Sequence, residues 1–258
     1  MGKKHQPPMP VAIIDLGAHS LRMEIYQLHA NREYRLIESI AQPVNIGREV
    51  FVGGLISPES IGLIGDIMKD FAAKIREYGV ECYEAVATSA VREALNREIF
   101  LDRVKAASHL TLKVLEVSEE ARLLYLAVKH NLAGFCDLEH RDGLILTLGT
   151  GTTGVAFSRN GKLLESEVFG IGSLRLFEEL GDSVSGSLRV GGLLESFVKS
   201  LNNLLLRREF NQHPERAATT CLIGVGAGVR MLAQLLGKDV ELTRVELSAG
   251  ELEQAALL

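Results

Sequence analysis

The chain has no cysteine pair spaced C-x-x-C, no apolar run long enough to span a bilayer, and no surplus of positive charge. Each absence removes a class of function. The three cysteines, Cys82, Cys136 and Cys221, are odd in number and widely separated, which leaves no zinc motif and suits a reducing cytoplasm. Without a long apolar run there is no spanning helix to expect. Met1 to Pro10 lacks the apolar core of a secretion signal and reads as a frayed polar tail. Met1-Gly2 opens like a myristoylation site, but Gln6 stands where Ser or Thr is required. A net charge of −5 argues against a nucleic-acid surface over the whole molecule, while permitting a local basic pocket. What is present, 47% hydrophobic and 24% charged residues in a chain of 258, is ordinary globular composition with room for two domains.

The most informative stretch is Leu144-Ile-Leu-Thr-Leu-Gly-Thr-Gly-Thr-Thr-Gly154, an apolar strand running into a Gly/Thr turn. Such a turn offers backbone N–H groups and hydroxyls in a concave nest, a natural seat for phosphate oxygens. Gly149-x-Gly151-x-x-Gly154 also matches a dinucleotide fingerprint, which needs a helix after the glycines. Instead, Val155 to Ser158, the turn Arg159-Asn-Gly-Lys162 and Leu163 to Val168 spell a β-hairpin, so the pyrophosphate would have no helix terminus to face. The Rossmann reading is therefore rejected. The same construction occurs at Val11-Ala-Ile-Ile-Asp-Leu-Gly-Ala-His-Ser20, followed by strands over Leu21–Leu28 and Glu33–Glu38. Two such copies predict a duplicated domain with a ligand cleft between the halves.

Between the copies, Gln42 to Leu55 reads as a Gly-rich connection, and Ser57-Pro58-Glu59 opens a helix with apolar positions at Ile61, Ile64, Ile67, Met68, Phe71 and Ile75. A strand at Tyr83–Ala87, a helix over about Ala94–Ala107, a strand at Leu112–Val117 and a helix at Ser118–His130 complete an α/β domain over 11–133. Gly134 to Gly143 is the expected boundary, with a second domain over 140–258. That domain has helical stretches at Leu174–Leu180 and Gly191–Glu209, a strand at Thr220–Val225, a helix to Leu236 and a helix start at Ser248-Ala-Gly-Glu251. It holds fewer strand–helix units than the pattern calls for, as a shortened chain would.

Five ordered pieces of the chain resemble the exopolyphosphatase / guanosine-pentaphosphate phosphatase (Ppx/GppA) family of the actin–hexokinase–Hsp70 fold group. They are Asp15-Leu-Gly-Ala-His-Ser-Leu-Arg22, Ala87-Thr-Ser-Ala-Val-Arg-Glu-Ala-Leu-Asn96, Ser118-Glu-Glu-Ala-Arg122, Gly170-Ile-Gly-Ser-Leu-Arg175 and Gly224-Val-Gly-Ala-Gly-Val-Arg230. The resemblance implies two duplicated actin-like (ribonuclease H-like) domains, each a mixed sheet flanked by helices. It also implies a cleft that holds a polyphosphate tail while water attacks the terminal phosphoryl group, a reaction in which the protein mainly positions groups and neutralises charge. In that comparison Glu120 matches the general base. Gly17, Ala18, His19 and Ser20 match the first phosphate turn, Gly149, Thr150, Gly151, Thr152 and Thr153 the second. Thr88, Ser89 and Arg92 match a further phosphate contact, with Arg92 forked onto phosphate oxygens. Asp15 matches a ligand for Mg²⁺.

Read without the resemblance, Glu119 and Glu120 are first-turn glutamates suited to the helix dipole, and Thr88 or Ser89 is a helix cap. The chain also departs from the family. Ala18-His19 stands where Ser-Asn is usual, and Thr147 and Gly154 stand where the second turn usually carries two acidic residues. That substitution weakens metal capture and the orientation of water while leaving anion binding intact. Two functions follow. One is a cytoplasmic, Mg²⁺-assisted phosphoanhydride hydrolase acting on inorganic polyphosphate or a guanosine polyphosphate nucleotide, with weak or lost activity. The other is an inactive sensor of the same ligands whose output is hinge closure about residues 134–143. Neither involves nucleic acid or a membrane, and a homodimer is compatible with both.

Overall fold

The computed structural model of the chain describes residues 8–30, 33–180, 184–207, 220–239, 245–248 and 250–251. The chain forms two compact units, Met1–Glu116 and Val117–Leu258. In the first, β1 (Met9–Leu16), β2 (Ser20–Leu28) and β3 (Tyr34–Pro43) are antiparallel, and β4 (Cys82–Ala87) and β5 (Lys113–Val114) continue the sheet in parallel, in the order β3-β2-β1-β4-β5. Alternation along β1 and β2 turns Ala12, Ile14, Leu16, Leu21, Met23 and Ile25 into the core, as the period of 2 requires. Of the expected polar tail, residues 1–7 lie outside the described residues, and Met9 and Pro10 already belong to β1.

Helices α1 (Ile46–Gly53), α2 (Pro58–Glu77), α3 (Ser89–Glu93) and α4 (Arg97–Ser108) complete this unit. The start of α2 is as read from the sequence: the Ser57 hydroxyl accepts the Ser60 N–H at 3.1 Å and Pro58 occupies the first position. Ile64, Met68, Phe71 and Ile75 are buried in one core with Phe100 and Val104 of α4. The expected connection over Gln42–Leu55 instead contains α1. Its glycines hide it from propensity, and burial of Ile46, Gly47 and Val50 decides in its favour. Its Glu49 carboxylate also accepts the Ser57 N–H, the Ser57 hydroxyl and the Ser60 hydroxyl, tying α1 to the start of α2. The helix expected from Ala94 begins only at Arg97, because Ala94 is extended and Asn96 turns its amide onto both backbone groups of Ile56.

The second unit contains α5 (Val117–Asn131), β6 (Gly143–Leu148), β7 (Thr153–Arg159), β8 (Lys162–Phe169), α6 (Ser173–Leu180), α7 (Val184–Arg207), β9 (Cys221–Val225) and α8 (Ala227–Leu235). Its sheet order, β8-β7-β6-β9 with β6 and β9 parallel, repeats β3-β2-β1-β4 of the first unit. The duplication expected from the sequence is therefore a repeat of topology. Asn160 (φ 49°) and Gly161 (φ 72°) form the two-residue turn of the β7–β8 hairpin, so no helix follows the second glycine turn directly. The helix expected over Gly191–Glu209 begins earlier, at Val184, and its last two positions lie outside the described residues.

Two expectations are corrected here. The division of the chain falls after Glu116, and the polar stretch 134–143 lies inside the second unit. The reason is packing: Tyr125 and Val128 of α5 share a core with Leu138, Ile145 and Ala156. Leu138, buried within that polar stretch, anchors it. The cysteines also differ from expectation. Cys136 and Cys221 form a disulfide with Cα atoms 6.6 Å apart, and only Cys82, which is exposed, is a free thiol. Among the described residues no helix is long and apolar enough to cross a membrane.

The helix start expected at Ser248 is a reciprocal cap: the Ser248 N–H and hydroxyl donate to Glu251, whose own N–H donates back to the Ser248 hydroxyl. The Lys238 ammonium and these Ser248 donors lower the Glu251 carboxyl from its ordinary 4.5 to about 2. A lowered folded-state value stabilises the cap above the ordinary value and loses that contribution as pH falls from 4.5 toward 2. The protection factor of the Ser248 amide against hydrogen exchange is therefore expected to hold above pH 5 and to collapse by pH 2.

Candidate functional site

The carboxyl ends of parallel strands are where open α/β sheets bind ligands, and most of the candidates lie there. In the first unit Asp15 is exposed next to the end of β1, and β4 runs alongside it with Leu16 opposite Ala87. The Thr88 N–H donates to the Leu16 carbonyl, which brings Thr88, Ser89 and Arg92 to the same edge as Gly17 to Ser20. Thr88 does not cap α3 through its side chain, so the plain capping reading fails at that residue. Arg92 gives Nη1 to the Leu115 carbonyl at 2.7 Å, which holds the guanidinium across the base of this edge.

Each unit builds its turn in the same way. Gly17 N–H donates to the Ser20 carbonyl (2.9 Å) and Gly149 N–H to the Thr152 carbonyl (3.0 Å). Both glycine amides are therefore spent inside their turns. A short helix then takes the turn's carbonyls. In the first unit Gly47 N–H of α1 donates to Ala18 O and Val44 N–H to His19 O. In the second, Ser173 and Leu174 N–H of α6 donate to the carbonyls of Gly149 and Thr150. A trans peptide carries its C=O and N–H in opposite directions. The amides of Thr150 and Gly151 thus face away from α6, as those of His19 and Ser20 face away from α1. Ala18 is buried and takes part only through its backbone.

The threonines of the second turn differ in role. Thr153 is buried and its hydroxyl donates to the Ile171 carbonyl at 2.6 Å, so that proton is not offered to an anion. The amides of Thr150, Gly151 and Thr152 have no hydrogen-bond acceptor among the described residues. Gly172 is required by close approach: a Cβ there would run into the Thr150 carbonyl and Gly151 backbone.

Glu120 sits in the first turn of α5, half-buried, at a cavity of about 140 Å³ inside the second unit. Thr147 and Gly154 line this cavity from β6 and β7, and Gly149 and Thr152 line it from the turn. Thr147 and Gly154 are register partners, and the Gly154 N–H donates to the Thr147 hydroxyl oxygen at 2.9 Å. The two positions expected to carry acids thus line the same cavity as Glu120, and a hydrogen-bonded strand pair occupies them. The structure groups Glu120 with the second turn in one unit, and Asp15, the first turn and Thr88 to Arg92 in the other. For magnesium the donor set is thin: among the described residues no three His, Cys, Asp or Glu side chains come close enough to hold an ion. The motif Gly170 to Arg175 is the segment that holds the second turn.

The sequence pattern of the Ppx/GppA phosphatase family matches residues 25–248. Over 128 residues the chain is 30% identical to the guanosine-5'-triphosphate,3'-diphosphate pyrophosphatase of Aliivibrio fischeri strain MJ11, covering 50% of this chain and 25% of that protein. It is 27% identical over 134 residues to the protein of the same name from Vibrio atlanticus, covering 52% and 27%. The match thus spans about a quarter of the length of these curated relatives. Among solved structures, an exopolyphosphatase from Cytophaga hutchinsonii superposes with a TM-score of 0.76 at 19% identity, covering 95% of this chain and 78% of that one. The Aquifex aeolicus Ppx/GppA enzyme gives 0.68 at 24% identity, covering 96% and 79%. At these identities the structures speak for the fold. With a family pattern that runs from β2 past α8, over two mixed sheets of repeated strand order, the chain belongs to the Ppx/GppA phosphatase family and has its duplicated actin-like fold.

Proposed function

We propose that this protein binds the tail of a polyphosphorylated anion, inorganic polyphosphate or a guanosine polyphosphate, on the Thr150–Thr152 amides and hydrolyses its terminal phosphoanhydride slowly. The observation that carries this is the cavity of about 140 Å³ that Glu120 lines together with Gly149 and Thr152 of the turn. The amides neutralise charge on the terminal phosphoryl oxygens, and Glu120 takes the proton of the attacking water. In the first unit Asp15 is the one carboxylate of the expected metal set that would hold Mg²⁺, an ion that would supply neutralisation of phosphate charge. The absence of acids at Thr147 and Gly154 favours a second reading, a polyphosphate sensor that binds without turnover. Phosphate release from tripolyphosphate and guanosine pentaphosphate, measured beside calorimetric binding, separates them. Binding with release supports the hydrolase, binding alone supports the sensor, and no binding rejects both.

The missing acids are themselves testable. A Cβ on residue 154 would crowd the Thr147 hydroxyl, so Gly154→Glu alone is expected to lose the strand pairing without gaining activity. Thr147→Asp with Gly154→Glu restores both carboxylates, and in a folded double variant is expected to raise kcat for tripolyphosphate about tenfold. No gain in a folded double variant would mean that the defect lies elsewhere.

A further inference from the structure

In the first turn the donors to the Ala18 and His19 carbonyls are backbone groups, but in the second the last one is a side chain. Val44 N–H holds the His19 carbonyl. The corresponding Gly151 carbonyl is held instead by Arg175, whose Nε donates to it at 3.1 Å. Arg175 is the third residue of α6, as Arg48 is of α1, so the two helices share this register. The guanidinium lies beside Gly170, where an added Cβ would meet Nη1 at 3.5 Å, an ordinary contact. Gly172 admits the backbone of Thr150 and Gly151, and the Ile171 carbonyl takes the Thr153 hydroxyl. The whole segment from Gly170 to Arg175 is a splint against the rear of the turn.

From this geometry we infer that Arg175 is a positioning residue which, by holding the Gly151 carbonyl, fixes the 151–152 peptide plane and aims the Thr152 amide at the anion. The inference rests on the reading that the turn binds phosphate. It assigns Arg175 no contact with that phosphate. A donor that reached the anion directly could be replaced by lysine, which keeps the charge. A fork that must meet a carbonyl from Nε cannot.

The test uses the whole chain with sodium tripolyphosphate as probe, in three forms: wild type, Arg175→Ala and Arg175→Lys. Calorimetry gives Kd, and amide NMR follows Thr150, Gly151 and Thr152 during the titration. In the wild type all three amides are expected to shift on binding. In both variants Kd is expected to rise about tenfold, with the Thr152 shift lost, the Thr150 and Gly151 shifts retained, and the melting temperature within a few degrees of wild type. Wild-type affinity in Arg175→Lys, or an undiminished Thr152 shift in Arg175→Ala, overturns the positioning role while leaving phosphate binding intact. If either variant fails to fold, the other decides. If the wild type does not bind tripolyphosphate, or binds it without moving these amides, the underlying reading of the turn falls together with the inference.

Discussion

Glu120→Gln is expected to lower phosphate release from tripolyphosphate by about a hundredfold or more while changing its Kd less than about threefold. Glutamine keeps the size of the side chain, so the cavity and the packing of α5 beside it are preserved, but it has no site that accepts a proton from water at neutral pH. Removing a negative charge beside an anion does not weaken binding, so a fall in rate with binding preserved is specific to a base. A glutamate serving only the helix dipole would give another outcome: a slight loss of stability, worth about 0.3–1 kcal/mol, and no change in rate. The comparison is made in wild type and again in the Thr147→Asp/Gly154→Glu background, where the faster reaction widens the window. Release unchanged in both backgrounds would remove Glu120 from the mechanism.

Reduction of the Cys136–Cys221 bond is expected to destabilise the second unit by about 3–4 kcal/mol. The two residues are separated by 85 positions, and the closed loop contains β6, β7, β8, α6 and α7. Closing a loop of that length removes conformational entropy from the unfolded chain worth roughly 4–5 kcal/mol in the chain-entropy treatment, with somewhat less commonly realised. The bond ties the connection after α5, the helix that carries Glu120, to the first residue of β9. Denaturant unfolding with and without reductant reads the difference, and Cys136→Ser should reproduce the reduced value without reductant. Thiol titration of the unreduced native protein should find Cys82 alone. Three reactive thiols would show that the bond is not formed.

Much of the fold can be read from the sequence because its signals are local. The apolar strand, small-residue turn and Asn160-Gly161 hairpin announce the repeated unit, and Ser57-Pro58 announces α2. Elements decided by packing between distant residues are hidden. Helix α1, with Gly47 and Gly53, is held by burial of Ile46 and Val50 and by Glu49 meeting Ser57 and Ser60. The place of α5 in the second unit depends on Tyr125 and Val128 meeting Ile145 and Ala156, which sequence order after β5 conceals. The disulfide is a tertiary pairing, and spacing alone carries no trace of it. At the site, sequence resemblance names the turn but does not separate its members. Thr152 lines the cavity while Thr153 is buried with its hydroxyl on Ile171, Gly149 spends its amide on Thr152, and Arg175 meets the Gly151 carbonyl. Such differences lie in peptide directions, which a motif does not record. The signal for Arg175 is present in Gly170-Ile-Gly-Ser-Leu-Arg175, but its meaning needs the carbonyls it meets.

The central claim is that a polyphosphate tail seats on the amides of Thr150, Gly151 and Thr152 beside Glu120. A crystal structure of the Glu120→Gln variant soaked with tripolyphosphate tests it most directly. Terminal phosphate oxygens within hydrogen-bonding distance of those three nitrogens, about 2.7–3.2 Å, with residue 120 alongside, are the predicted result. Tripolyphosphate bound elsewhere while the turn holds only water would contradict it.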